Sequence, residues 1–90
     1  MATTVALHRV ADYDAWRKVY DNLAEVQKAG GVVDEAVFRM EGDPDNVLVR
    51  HRFSTMEQAH AFFESPELQS GMKEAGVDLS SLRLEFYEET

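Results

Sequence analysis

The sequence predicts an α+β fold of the split βαβ type: one antiparallel four-stranded sheet with its helices on one face. Three observations carry this. The hydrophobic periods run strand, helix, strand, strand, helix, strand within 90 residues. Turn chemistry at Gly42-Asp43-Pro44-Asp45 joins two β-rich runs, so the second and third strands form a hairpin. Capping signals stand where each helical stretch begins. The order is that of a ferredoxin-like fold, with sheet order 4-1-3-2 and a single domain spanning 1–90.

The first strand is Thr4 to Val10. Asp12 is a good N-cap for the helix that follows, and Asp14 favours the positive end of its dipole. Tyr13, Trp16, Val19, Tyr20 and Leu23 recur at three and four, which is one apolar stripe. Gly30-Gly31 supplies a left-handed stop after Ala29. The hairpin strands run from Val32 to Glu41 and from Asn46 to Phe53. Ser54 and Glu57 fit a capping box, and Ser65-Pro66 is a second start signal. The second helical stretch is therefore expected in two pieces, about 56–64 and 66–75, stopped by Gly76. The last strand is expected from Leu82 to Glu88.

Ninety residues with no cysteine exclude disulfides and thiolate metal sites. So small a domain buries only a little over half of its unfolded surface, and extra core usually comes from metal, disulfides or a second subunit. The formal charge of −8, from 17 acidic and 9 basic residues, argues against nucleic acid as a partner. No membrane-length apolar run and no basic leader are present, so a cytoplasmic chain without membrane contact is expected.

The strands do not alternate cleanly. The first sets Val5 and Leu7 against Ala6 and Val10; the third sets Val47, Val49 and Phe53 against Leu48. Both sheet faces are substantially apolar, while the helices cover one. The other face then wants a second sheet, and a twofold homodimer is the simplest supplier. Arg50 and Arg52 share the Leu48 side; there they either pair with acidic residues of the other subunit, such as Glu85 or Glu88, or form a solvated sheet rim.

The segments His8-Arg9-Val10-Ala11-Asp12-Tyr13-Asp14-Ala15-Trp16 and Phe62-Phe63-Glu64-Ser65-Pro66-Glu67-Leu68, with Met72 to Val77, resemble dimeric α+β barrel proteins of the antibiotic biosynthesis monooxygenase-like group. The resemblance implies ferredoxin-like protomers whose sheets pack face to face, with a small-molecule pocket between helices and sheet. It implies cofactor-independent chemistry on aromatic polyketides among its members, and also haem degradation, cyclisation and isomerisation. Its oxygenase and haem-degrading members use a tryptophan on the second helical stretch with an asparagine nearby or on the first strand. Here that stretch holds neither residue, and the only tryptophan is Trp16 on the first helix.

The candidate catalytic residues are His8 and His51, on strands that are neighbours in this fold. An imidazole with a reference pKa of about 6.5 suits proton transfer near neutrality. If the side of His8, Ala6 and Val10 coincides with that of His51, Val49 and Phe53, both rings face one compartment. Tyr13, Trp16, Tyr20, Phe62, Phe63 and Phe86 are the candidate substrate-binding residues around them. Packing alone also accounts for aromatics at helical spacing and for strand histidines. His60 reads as a solvent-facing helix residue, and no metal-ligand spacing is present.

Two functions follow. One is a cofactor-independent small-molecule enzyme of a biosynthetic pathway, a cyclase, isomerase or monooxygenase on a hydrophobic, aromatic or polyketide-like substrate. The other is a non-catalytic ligand-binding or interaction module with the same dimeric fold. An imidazole open to a cavity favours the first; an imidazole sealed in a filled core favours the second.

Overall fold

A computed structural model describes residues 1–90. The elements are β1 (Ala2–Val10), α1 (Tyr13–Asn22), α2 (Ala24–Ala29), β2 (Val32–Met40), β3 (Asp43–Phe53), α3 (Met56–Glu64), α4 (Pro66–Glu74) and β4 (Val77–Glu88). The strands form one antiparallel sheet in the order β2-β3-β1-β4, as the ferredoxin-like reading requires.

Local chemistry explains the boundaries. The Asp12 carboxylate accepts from the N–H groups of Asp14 and Ala15 at 2.9 and 3.4 Å and starts α1. The first helical stretch breaks at Leu23, whose N–H bonds to Tyr20 O in a tight turn. That break brings Leu23 against α4 at Gly71, where a Cβ would stand 2.8 Å from Leu23 Cδ1. Gly31 and Gly76, at φ +92° and +75°, make the left-handed turns from helix to strand. The cap of α3 is Thr55 rather than Ser54: its Oγ1 accepts from Gln58 N at 3.1 Å. Ser65 and Pro66 start α4 as expected. β4 begins five residues before the expected Leu82, because Val77 and Asp78 already pair with Val10 and Arg9. An irregularity follows, held by Ser81 Oγ, which accepts from Arg9 N and donates to Asp78 O. The polar run Asp78-Leu79-Ser80-Ser81 masked this part of the strand.

The even residues of β1 and the odd residues Val47 to Phe53 of β3 are buried beneath the helices. Two clusters make the core. One gathers Trp16, Tyr20, Val47, Val49 and Ala75 with Val10 and Val77. The other gathers Phe53, Phe62, Ala59, Leu68 and Ala2. Their buried apolar surface stabilises the fold at roughly 25 cal/mol per Å².

The open face of the sheet is apolar at one end, where Phe38 and Met40 are 53% and 57% exposed beside Leu7 and Leu48. The other end is charged. There Arg50 pairs with Asp34 at 3.2 Å and Arg52 with Glu89 at 3.1 Å. Both arginines find partners within the chain, and Glu85 pairs with Arg83 at 2.9 Å. No helix is long and apolar enough to cross a membrane.

Candidate functional site

The register builds the site row by row on the helix-covered face. One row across the sheet is Phe86, Thr4, His51 and Glu35; the next is Leu84, Ala6, Val49 and Val37; a third holds His8, Val47 and Arg39. His8 and His51 therefore share a face, and are 5% and 4% exposed. They do not touch. Four residues separate the two rows along the strands, roughly 13 Å at strand rise.

Trp16 and Tyr20, one turn apart on α1, fill the distance between them. The ring centroids of His8 and Trp16 lie 5.8 Å apart, those of Trp16 and Tyr20 5.0 Å, and those of Tyr20 and His51 6.3 Å. The Trp16, Tyr20 and His51 rings are close to parallel, at 18° and 15° between neighbours. Spacing of three and four on α1 thus sets an aromatic ladder over the strands.

A cavity of about 40 Å³ lies along this ladder, at the seam of the two core clusters. His8, His51, Trp16 and Tyr20 form one side of it, with Ala6 and Val49 from the strands between the imidazoles. Leu68, Gly71, Met72 and Ala75 of the α4 segment and Phe63 of α3 close it. Of the expected site residues, the structure therefore gathers His8, His51, Trp16, Tyr20 and Phe63 around one space. Tyr13 lies outside it, stacked on Trp16 and covered by the Arg39 guanidinium at 3.8 Å. Phe62 packs on His51 and Phe53 within the core. Phe86 stacks on the exposed ring of His60 at 4.1 Å.

Glu35 and Thr4 join the site without a signal in the sequence: neither stands in a motif or on an apolar stripe. Glu35 stands opposite His51 across the β2–β3 pair and accepts the Tyr20 phenol proton at 2.7 Å. The same hydroxyl lies 3.4 Å from His51 Nε2. A phenol has one proton, and Glu35 takes it. The contact with His51 then requires Nε2 to carry the imidazole hydrogen, which assigns the lone pair to Nδ1. That Nδ1 is buried without a partner, as are both ring nitrogens of His8 and the hydroxyl of Thr4. Four orphaned polar atoms in so small a region are unusual in a native core.

The electrostatics follow from burial. Desolvation lowers the His51 pKa to about 4, against a smaller upward pull from Glu35. Desolvation also lowers that of His8. The Tyr20 phenol is raised, first by burial and then by its hydrogen bond to Glu35. Both imidazoles are neutral near pH 7 and can accept a hydrogen bond or a proton. No three His, Asp or Glu side chains converge as a metal site.

No family model matches the sequence, and no curated protein matches it significantly. Solved structures do match over nearly the whole chain. A protein of Deinococcus radiodurans named as an antibiotic biosynthesis monooxygenase superposes with a TM-score of 0.77 at 16% identity, covering 100% of this chain and 93% of that one. One from Bordetella bronchiseptica, similarly named, gives 0.80 at 12%, with coverage of 99% and 96%. SnoaB, a cofactor-independent oxygenase from Streptomyces nogalater, gives 0.81 at 10%, with coverage of 99% and 92%. The chain therefore has the ferredoxin-like α+β fold of the antibiotic biosynthesis monooxygenase-like proteins.

Proposed function

We propose that the protein is a small-molecule enzyme of a biosynthetic pathway, acting on a hydrophobic, aromatic or polyketide-like substrate by proton transfer at His51. The observation that carries this reading is a neutral, almost fully buried imidazole whose unpartnered Nδ1 is set by the Tyr20–Glu35 hydrogen bond beside a cavity. In the reaction, Nδ1 takes the proton of a phenol or of a carbon next to a carbonyl, leaving an enolate or phenolate. The imidazolium so formed gains the new anion as its counter-charge, which raises its pKa from the resting value. It then returns the proton at another atom. The balance is redox-neutral, so isomerisation or cyclisation needs no further reactant. Oxygenation, the activity in SnoaB's name, would add dioxygen as the acceptor of the anion's electrons.

His8, at the far end of the ladder, positions a second polar group of the substrate or moves a second proton. Trp16 and Tyr20 supply the stacking wall. The chain acts as a homodimer closed over Phe38, Met40, Leu7 and Leu48, the open apolar end of its sheet.

A thermal-shift screen of aromatic compounds tests the reading, since a hundredfold excess over Kd adds about 2.7 kcal/mol. His51→Ala should abolish turnover of a hit while the dimer survives. His8→Ala separates roles: a large rate loss with retained binding marks a proton carrier, and lost binding alone marks a positioning contact. Full activity in His51→Ala would refute the proposal. The small volume of the cavity favours a second reading, a ligand-binding module without catalysis. Hits that bind and are released unchanged would establish it.

A further inference from the structure

We propose that the ligand of this site is an uncharged two-part molecule, with a hydroxylated ring that reaches the imidazoles and an apolar tail that lies between α4 and β4. The inference rests on the reading above and adds a second subsite to it.

The tail subsite is a groove of about 280 Å³, walled by Leu79, Leu82 and Leu84 of β4 and by Met72 and Gln69 of α4. It shares Ala6, Phe63 and Met72 with the imidazole cavity. Leu84 is the cross-strand neighbour of Ala6, and Ala6 of Val49, so one row of the sheet is the common floor of both spaces. Phe63 and Met72, both half-buried, stand in both walls. Met72 is an unbranched thioether with three rotatable bonds, suited to moving aside. Ala6 leaves the floor low where the two spaces meet.

The sizes argue for one ligand across both. The inner cavity alone, at about 40 Å³, holds little more than water. Rotation of Phe63 and Met72 joins it to the groove, and the joined space reaches the lower range of small-molecule pockets, about 300 Å³. The composition argues for the ligand's charge. In a chain of net charge −8 with 29% charged residues, no charged side chain lines the groove. Leu79 keeps 56% of its surface exposed there. An uncharged alkyl or alicyclic tail fits such a lining. An anionic tail would meet no cation, and a cationic tail no acid.

The test is calorimetric titration with phenol, 4-butylphenol and 4-octylphenol. For the intact protein, affinity should climb about fourfold per methylene and level off once the groove is full. Leu79→Glu, at an exposed position, and Leu82→Asn, outside the shared row, should flatten that climb while leaving phenol unchanged. His51→Ala should weaken every member by the same factor and keep the slope. An affinity independent of chain length overturns the proposal, as does a slope untouched by both leucine variants, or no binding of any member at millimolar concentration. Sedimentation of Leu79→Glu adds a control: conversion of a dimer to monomer would make Leu79 a subunit contact and overturn it too. If the slope responds to the leucine variants while His51→Ala changes nothing, the tail subsite stands and the proton-transfer reading falls.

Discussion

Acidification should destabilise this protein before its carboxylates are titrated, and His51 should be the main reason. Its pKa lies at about 4 in the folded chain against a reference of 6.5, because burial disfavours the imidazolium. Below pH 6.5 the unfolded chain binds a proton that the folded chain does not, so stability falls as pH falls. The loss begins near pH 6.5 and is complete below pH 4. Integrated down to pH 4, it comes to about 3 kcal/mol from this one group, a large share of a small domain's stability. His8, also lowered by burial, adds in the same direction. The lowered pKa values of Asp43 and Asp78 act elsewhere: their contribution is present above 3.8 and is lost below it. Urea unfolding at pH 7, 5.5 and 4, at fixed ionic strength and protomer concentration, measures the slope. His51→Gln should flatten it by about 3 kcal/mol between pH 7 and 4. Parallel stability curves for the two proteins would refute the assignment of His51 as a buried, neutral imidazole.

Other outcomes follow from the packing. Tyr20→Phe should destabilise by about 1–2 kcal/mol, because Glu35 loses its donor, and chemical denaturation reads this directly. Trp16→Ala should cost about 3–5 kcal/mol, since it empties the middle of the aromatic ladder. Thr55→Ala should cost about 1 kcal/mol through the lost α3 cap, while Ser54→Ala stays within about 0.5 kcal/mol. Leu48→Asp should shift sedimentation toward monomer without unfolding the chain, if the open sheet face is the dimer contact.

What was legible in the sequence depended on period and punctuation. Strand order followed from element order and the Gly42 turn, and the caps at Asp12 and Ser65 fell where their side chains can reach an orphan N–H. The common face of His8 and His51 was left open by the sequence, because a one-residue slip sends either ring to the other face; the uninterrupted pairing of β1 and β3 puts both beneath the helices. Glu35 was hidden because β2 and β3 are not in simple register. A hairpin continuing from the Met40–Asp43 pair would place Val32 opposite His51. The irregularity between Arg39 and Met40 shifts the pairing and puts Glu35 there instead. The lining was hidden for another reason: one apolar stripe on a helix does not say which ring meets a void. Trp16 and Phe63 border the cavity, whereas Phe62, adjacent to Phe63 in sequence, packs on Phe53 and His51 and faces a separate groove beside α2. Leu79, the one β4 leucine outside the expected strand, was masked by the polar residues around it.

The most direct test is the tautomer of His51 and its response to a ligand, read from imidazole 15N–1H correlation spectra at pH 7. The account predicts a neutral ring with hydrogen on Nε2 and a free lone pair on Nδ1. Adding 4-octylphenol should move the Nδ1 resonance, as it accepts the phenol's hydrogen bond, and leave Nε2 nearly in place. A charged ring, a hydrogen on Nδ1, or an Nδ1 resonance unmoved at saturating ligand would contradict the claim that this buried imidazole is the reactive group of a binding site.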